Sequence, residues 1–297
     1  MLPELKTFIS IVETDNVIKV MENLNLSKAT VYEHLKYLEQ FFRVNIALIS
    51  RNNEITITES GNLLYKRAKQ IFNIIDDTPG ELIENNNNDD VVGSIKIGVN
   101  SVLEEYFLPK FLSEFLKKYP NINIDIFTDS DKNILNKLRN NEIDIGLIEE
   151  LYEKNTLMQN RFLREKMVLI IPYANTIKDI STYMNELKSK RWITREDNCS
   201  TKHFIDLFLK ENHLKPESML TLGSDYAIKE AVKNKLGISI IPKLIAEPSY
   251  KNEDICILPL ESYYEKYFTY VLNDNNHSKS TTIFLNELKN FCKHFYR

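Results

Sequence analysis

Three cysteines, Cys199, Cys256 and Cys292, are all that the 297 residues contain, at wide and unpatterned spacing. That argues against a disulfide framework and against a zinc site. The five histidines, His34, His203, His213, His277 and His294, form no metal-ligand spacing either. No stretch approaches the roughly 18 uninterrupted apolar residues that a membrane helix needs. The opening MLPELKTF carries acidic Glu4 and no signal-peptide core. A cytoplasmic protein without a membrane partner is therefore expected. Phosphate loops, nucleophile elbows and zinc-protease motifs are missing too, so no catalytic residue, metal or cofactor is nominated. There is no excess of positive charge: 38 basic residues stand against 42 acidic ones, a net charge of −4.

What is present begins with a helical pair. Val17, Val20, Met21 and Leu24 recur at helical spacing, Asn25-Leu26-Ser27 interrupts, and Val31, Leu35, Leu38 and Phe42 resume the period. Ser27 is the residue type that accepts a hydrogen bond from the free N–H groups of a following helix, so the second helix is expected to start there. Lys28, Ala29, Thr30, Tyr32, Glu33 and Lys36 then lie off the apolar stripe, where a recognition helix presents side chains to base edges and phosphates. Periodicity alone leaves this an ordinary helical hairpin. The flanks add to it: Leu5, Phe8, Ile9 and Val12 mark a third helix with Pro3 near its first turn. Residues 46–49 and 55–57 are β-prone runs around Arg51-Asn52-Asn53-Glu54 and read as a hairpin wing. Three helices and a wing make a winged helix-turn-helix.

Residues 1–59 carry six basic side chains (Lys6, Lys19, Lys28, Lys36, Arg43, Arg51) against eight acids (Glu4, Glu13, Asp15, Glu22, Glu33, Glu39, Glu54, Glu59). Only the face that meets phosphate must be basic, and Lys28, Lys36 and Arg51 are expected to share it. A weak nonspecific term makes affinity depend on dimer avidity. A helical pattern follows from about Glu59 to Glu84, with Leu64, Ala68, Ile71 and Ile75 on one face and Leu63 and Ile74 beside it. The small head is expected to offer that face no cover, which makes a second copy of the helix its partner, with packing on the chain's own regulatory domain the alternative. Asn85-Asn86-Asn87-Asn88-Asp89-Asp90 reads as a linker.

From Gly93 the pattern alternates between strands and helices. Strands are expected over 94–99, 122–128 and 143–148, with helices over 105–119 and 131–140, a βαβαβ unit. A second set has strands at 168–171, 192–193, 220–222 and 238–241 and helices at 201–212 and 226–234. A strand near 267–272 and a helix over 281–295 return to the first lobe. Two α/β lobes joined by crossing strands leave a cleft between them.

The whole chain, from about Leu5 to Phe295, resembles a LysR-type transcriptional regulator. The resemblance is carried by LKTFISIVE at 5–13, by Leu24 with Ser27, by Leu38-Glu39, and by Ile57-Thr58-Glu59-Ser60-Gly61 opening the long helix. In the second half it is carried by GSIKIGV at 93–99, LPKFLSEFLKKYP at 108–120, NEIDIGLI at 141–148 and VKNKLGISIIP at 232–242. The chain departs from the family pattern at Val20-Met21, where paired alanines are usual, at Lys28 for glutamine and at Tyr32 for serine. Ala47-Leu48-Ile49-Ser50 stands where the wing usually has Leu-Phe-x-Arg, and Arg51 is the candidate replacement for that arginine.

The resemblance implies an α/β chain with an N-terminal winged helix-turn-helix over 1–58 and a linker (dimerisation) helix with hinge over 59–90. A two-lobed effector-binding domain of periplasmic-binding-protein type then fills 91–297. Lobe I takes about 91–163 and 269–297, and lobe II about 164–268. It implies a non-enzymatic regulator that binds double-stranded promoter DNA as a homodimer or homotetramer under control of a small-molecule effector, with RNA polymerase a further partner that such proteins admit. The DNA-binding candidates are Ser27, Lys28, Thr30, Tyr32, Glu33, His34, Lys36 and Arg51, with His34 facing solvent or phosphate. Ligands in open α/β lobes sit beyond the carboxyl ends of the strands, near helix N-termini. The family places its inducer between the lobes, so Asn100, Ser101, Thr128, Glu149, Asn198, Ser200 and Thr201 are the effector candidates. For each hydroxyl, a plain helix cap is the alternative. Glu149, Asp129 and Asp225 add negative charge to the cleft rim, which favours an amino-acid-like effector with an ammonium or guanidinium beside any carboxylate. Cys199 invites comparison with a peroxide-sensing branch of the family, but no resolving partner lies nearby and a small buried cysteine is the expectation. The competing reading is a two-lobe solute-binding or enzyme domain with an N-terminal dimerisation arm, and a third is a regulator that acts through a protein partner.

Overall fold

The computed structural model describes residues 1–14, 16–49, 55–82, 91–150, 157–174, 186–197, 199–273 and 278–295. The expected wing tip with Arg51, the linker over 85–90 and Asn198 lie outside them.

The head is built from α1 (Leu2–Thr14), α2 (Val17–Leu24), α3 (Lys28–Phe42), and a hairpin of β1 (Ala47–Ile49) and β2 (Ile55–Ile57), paired antiparallel with Ala47 opposite Ile57. Leu5, Phe8, Ile11, Val20, Val31 and Leu38 are buried at its centre. The turn between α2 and α3 closes because Asn25 takes the left-handed conformation (φ 50°), which asparagine tolerates. Ser27 Oγ then accepts from Thr30 N at 3.1 Å and starts α3. Glu39 Oε1 accepts from Ile46 N at 3.0 Å and ties the end of α3 to the wing.

The long helix α4 runs over Glu59–Leu82. Thr58 Oγ1 accepts from Gly61 N at 3.0 Å, and a Cβ on Gly61 would overlap the carbonyl oxygen of Ile46, so this crossing of wing and helix requires glycine. The expected exposed face of α4 is corrected in part. Leu64 and Ala68, with Tyr65 and Phe72, pack into the head core, whereas Leu63, Ile71, Ile74 and Ile75 are exposed. Beyond the head, α4 lies against lobe I.

Lobe I is a sheet with helices on both faces. β3 (Gly93–Val99) lies between β4 (Ile122–Thr128) and β5 (Ile145–Glu149), all parallel. β11 (Glu265–Leu272) pairs antiparallel with both β5 and the long β6 (Met158–Pro172). On one face, Phe111, Phe115 and Phe284 form a cluster with ring centroids 5.1–5.6 Å apart. Each such buried ring contributes on the order of 2–3 kcal/mol. The helix expected over 105–119 is two helices, α5 (Ser101–Tyr106) and α6 (Leu108–Lys118). Pro109 has no N–H to continue the ladder and opens the first turn of a new helix. α7 (Asp131–Arg139) covers the other face, and α11 (Lys279–Cys292) closes the lobe beside β3 and α6.

β6 is far longer than the expected 168–171 and belongs to both lobes. Its residues 158–166 pair with β11, whereas 167–172 pair with β9 (Ser239–Pro242) and β10 (Ile255–Pro259). Lobe II continues through β7 (Trp192–Thr194) and β8 (Met219–Thr221), which are parallel, with β7 joined to the start of β9 by a bridge at Trp192 and Ile238. Its helices are α8 (Ser200–Glu211), α9 (Asp225–Lys233) and α10 (Lys243–Lys251). α10 and β10 are additions to the expected elements. No helix among the described residues is long and apolar enough to cross a membrane.

Candidate functional site

Two regions gather the candidate residues. The first is α3. Lys28, Glu33 and Lys36 are exposed on it, with Tyr32 partly so, and Lys28 Nζ lies 5.8 Å from the Tyr32 ring centroid. Ser27 Oγ and Thr30 Oγ1 are 2.8 Å apart and bond each other as well as the helix start. His34 departs from expectation. Its Nδ1 lies 2.7 Å from Thr7 Oγ1 of α1 and the ring is half-buried, because position 34 falls beside the stripe of Val31, Leu35 and Leu38. At the far end of α3, Tyr37, Phe41 and Phe42 are exposed and in contact with one another.

The second region is the seam between the lobes. β5 ends at Glu149 in lobe I, α8 begins at Ser200 in lobe II, and β11 carries Lys266 between them. Glu149 Oε2 accepts from Ser200 Oγ at 2.8 Å and from Lys266 Nζ at 3.0 Å, while Lys266 Nζ and Ser200 Oγ are 3.1 Å apart. Burial works against the Lys266 ammonium, but the Glu149 and Asp225 carboxylates outweigh it and raise its pKa. Arg195 follows β7 and pairs with Asp225, the buried first residue of α9, at 3.4 Å. Lys229 of α9 reaches across to Tyr106 of α5, with Nζ 3.5 Å from the phenol oxygen.

α8 has no side-chain cap, since Cys199 occupies that position. The first-turn N–H groups of such a helix attract anions. Beside them Thr201 is fully buried and its Oγ1 has no hydrogen-bond partner among the described residues. A buried orphan hydroxyl carries a desolvation penalty of about 1–3 kcal/mol until a ligand or water meets it. Burial, and then the charge of Asp225, raises the Cys199 thiol, which disfavours the thiolate that oxidation requires. All three cysteines are free.

Of the other candidates, Asn100 accepts from Leu103 N at 3.1 Å and caps α5. Ser101 is exposed at the first position of that helix and Thr128 at the end of β4. Neither side chain bonds to the Glu149 cluster among the described residues. Asp131, not nominated from sequence, accepts the N–H of Glu149 at 3.2 Å. Burial first and the Glu149 charge second push its carboxyl up to about 6. Lys266 and Arg195 were not nominated either. Lys266 had a legible signal: in EKYFTYVL it shares a strand face with Phe268, and a lysine on an apolar face needs a carboxylate partner.

The family profile described as "LysR substrate binding domain" matches residues 88–293. The HTH-type transcriptional regulator CysL of Bacillus subtilis (strain 168) is 32% identical over 293 residues, which cover 96% of this chain and 95% of that protein. The chain belongs to the LysR-type transcriptional regulators. Among solved structures, a full-length OxyR variant from Pseudomonas aeruginosa superposes with a TM-score of 0.69 at 16% identity, over 99% of this chain and 95% of that one. The regulatory domain of Synechocystis PCC6803 CcmR, solved with 2-PG, gives 0.56 at 24% identity, over 68% of this chain and 98% of that one. Like its relatives, this LysR-type regulator joins a helix-turn-helix head to a two-lobed effector-binding domain.

Proposed function

We propose that this regulator reads promoter DNA with α3 and is switched by an amino-acid-like effector held at the N-terminus of α8, between the lobes. The domain limits we assign are 1–58, 59–90 and 91–297, with lobe II over about 164–268. In the head, Lys28, Tyr32, Glu33 and Lys36 face the major groove, Ser27 and Thr30 set the entry of the helix, His34 holds α3 to α1 through Thr7, and Arg51 is a further candidate for a phosphate contact.

The observation that carries the effector assignment is the buried, unpartnered Thr201 hydroxyl beside an uncapped helix start. An acidic group of the effector receives bonds from Thr201 and the first-turn N–H groups, while the Ser200 hydroxyl stays on Glu149. An ammonium group of the same effector faces Glu149 and Asp131 across the seam. The cleft works by binding: closure of the lobes on the effector shifts an existing equilibrium of head orientations. Cytoplasmic location follows from that role. Two chains pair along the exposed Leu63, Ile71 and Ile74 of α4.

Calorimetry of the full chain with a panel of amino acids, amines and dicarboxylates tests the effector class. Binding of an amino acid that Thr201→Val weakens supports it. Tight binding of a simple dianion, with no response to amino acids or amines, removes it.

A further inference from the structure

Between α4 on one side and β3, β4 and α7 on the other lies a cavity of about 720 Å³, at the junction of head and lobe I. Four lysines line it: Lys66 and Lys69 from α4, Lys96 from β3 and Lys137 from α7. Each wall has an ion pair of its own. Lys69 pairs with Glu13 on the head side, and Lys137 pairs with Glu142 at 3.4 Å on the lobe side.

Lys66 and Lys96 remain, one on each wall, both half-buried and neither in an ion pair among the described residues. Asp144 engages the backbone N–H of Lys96 at 2.7 Å, not its ammonium. Two like charges across a half-enclosed gap repel more strongly than they do in open water. A ligand with two negative charges removes that repulsion and gains charge-assisted hydrogen bonds from both walls. Asn62 and Asn140 add amide donors, and the exposed ring of Phe127 offers an apolar surface to a short carbon skeleton.

We propose that this cavity is a second ligand site, separate from the interlobe cleft, for a small organic dianion that bridges Lys66 and Lys96. Its occupant binds the arrangement in which the head rests on lobe I and stabilises that arrangement by mass action. It therefore opposes any response that swings the head away.

The test is calorimetry on the full chain at constant ionic strength, with succinate and glycerol 3-phosphate as probes that separate a dicarboxylate from a phosphate source. At least one is expected to bind. Lys66→Gln/Lys96→Gln, which removes both charges and leaves polar side chains at two half-exposed positions, should weaken it by about tenfold or more. Asn140→Asp, which adds a negative charge to the same lining, should weaken it as well. Ser200→Ala/Thr201→Val in the interlobe cleft should leave it within about twofold. Failure of both probes to bind, binding indifferent to the two lysines, or binding lost in the cleft variant would overturn the proposal.

Discussion

Lys266 and Glu149 meet at 3.0 Å on the seam between the lobes, the lysine side chain 4% exposed and the glutamate 24%. They are unequal partners. Removing the glutamate strands a buried ammonium, whereas removing the lysine strands a carboxylate that keeps Ser200 and some water. Glu149→Gln is therefore expected to destabilise the protein by about 3–5 kcal/mol and Lys266→Met by less, roughly 2–3 kcal/mol. Thermal melts of the two single variants and of the double variant measure this. Equal losses would contradict the inequality, and a double variant as unstable as the sum of the singles would show that the pair is not coupled.

Asp131 gives the cleft a pH dependence of known sign. Its folded carboxyl titrates at about 6, against an ordinary 3.8. Its contribution is fully present below about pH 4 and is lost as pH rises through 6, because between those limits the folded state holds the extra proton. Asp131→Asn keeps an oxygen for the Glu149 N–H and does not titrate. Relative to that variant, the wild-type protein should lose up to about 3 kcal/mol between pH 4 and pH 7. Parallel stability curves for the two proteins would contradict the assignment. Asp129, Glu196 and Glu265, whose carboxyls are held low, pull in the opposite direction but are common to both.

The exposed apolar residues of α4 make the assembly testable. Ile74 is 62% exposed and Leu63 59%, on a helix whose other residues already fill the head core. Ile74→Asp is expected to raise the dissociation constant of the assembly by about tenfold or more, since it would bury an unpaired charge at the seam. Sedimentation across a concentration series reads this. An unchanged oligomeric state with the head still folded would place the interface elsewhere.

The head was legible because its signals are local. The stripes of α2 and α3, the Ser27 cap and the Thr58–Gly61 start of α4 each lie within a few residues of one another. β6 was half legible for a physical reason. Val168–Ile171 is covered on both faces by lobe II and reads as a continuous apolar run, whereas 158–166 lies more exposed in lobe I and carries charges. α10 was hidden by Pro248 inside it, and the break between α5 and α6 turned on Pro109 alone. Glu149, Ser200 and Thr201 were nominated from the rule that ligands gather beyond strand ends, and the structure brings Glu149 and Ser200 together. Their decisive partner Lys266 was not, because 66 residues separate it from Ser200 and 117 from Glu149, and only the crossing of β11 between the lobes brings them together.

The most direct test of DNA reading by α3 is the salt dependence of binding to an operator found by genome-wide mapping, measured for the full chain and for Lys28→Ala and Lys36→Ala. Each lysine that meets a phosphate contributes about 0.9 to the slope of log affinity against log salt. The expected result is a mapped site with half-sites about one helical turn, or a multiple of it, apart, at which each variant binds more weakly and with a slope reduced by about that amount. No bound site at low salt, or slopes unchanged in both variants, would contradict α3 as the reading helix.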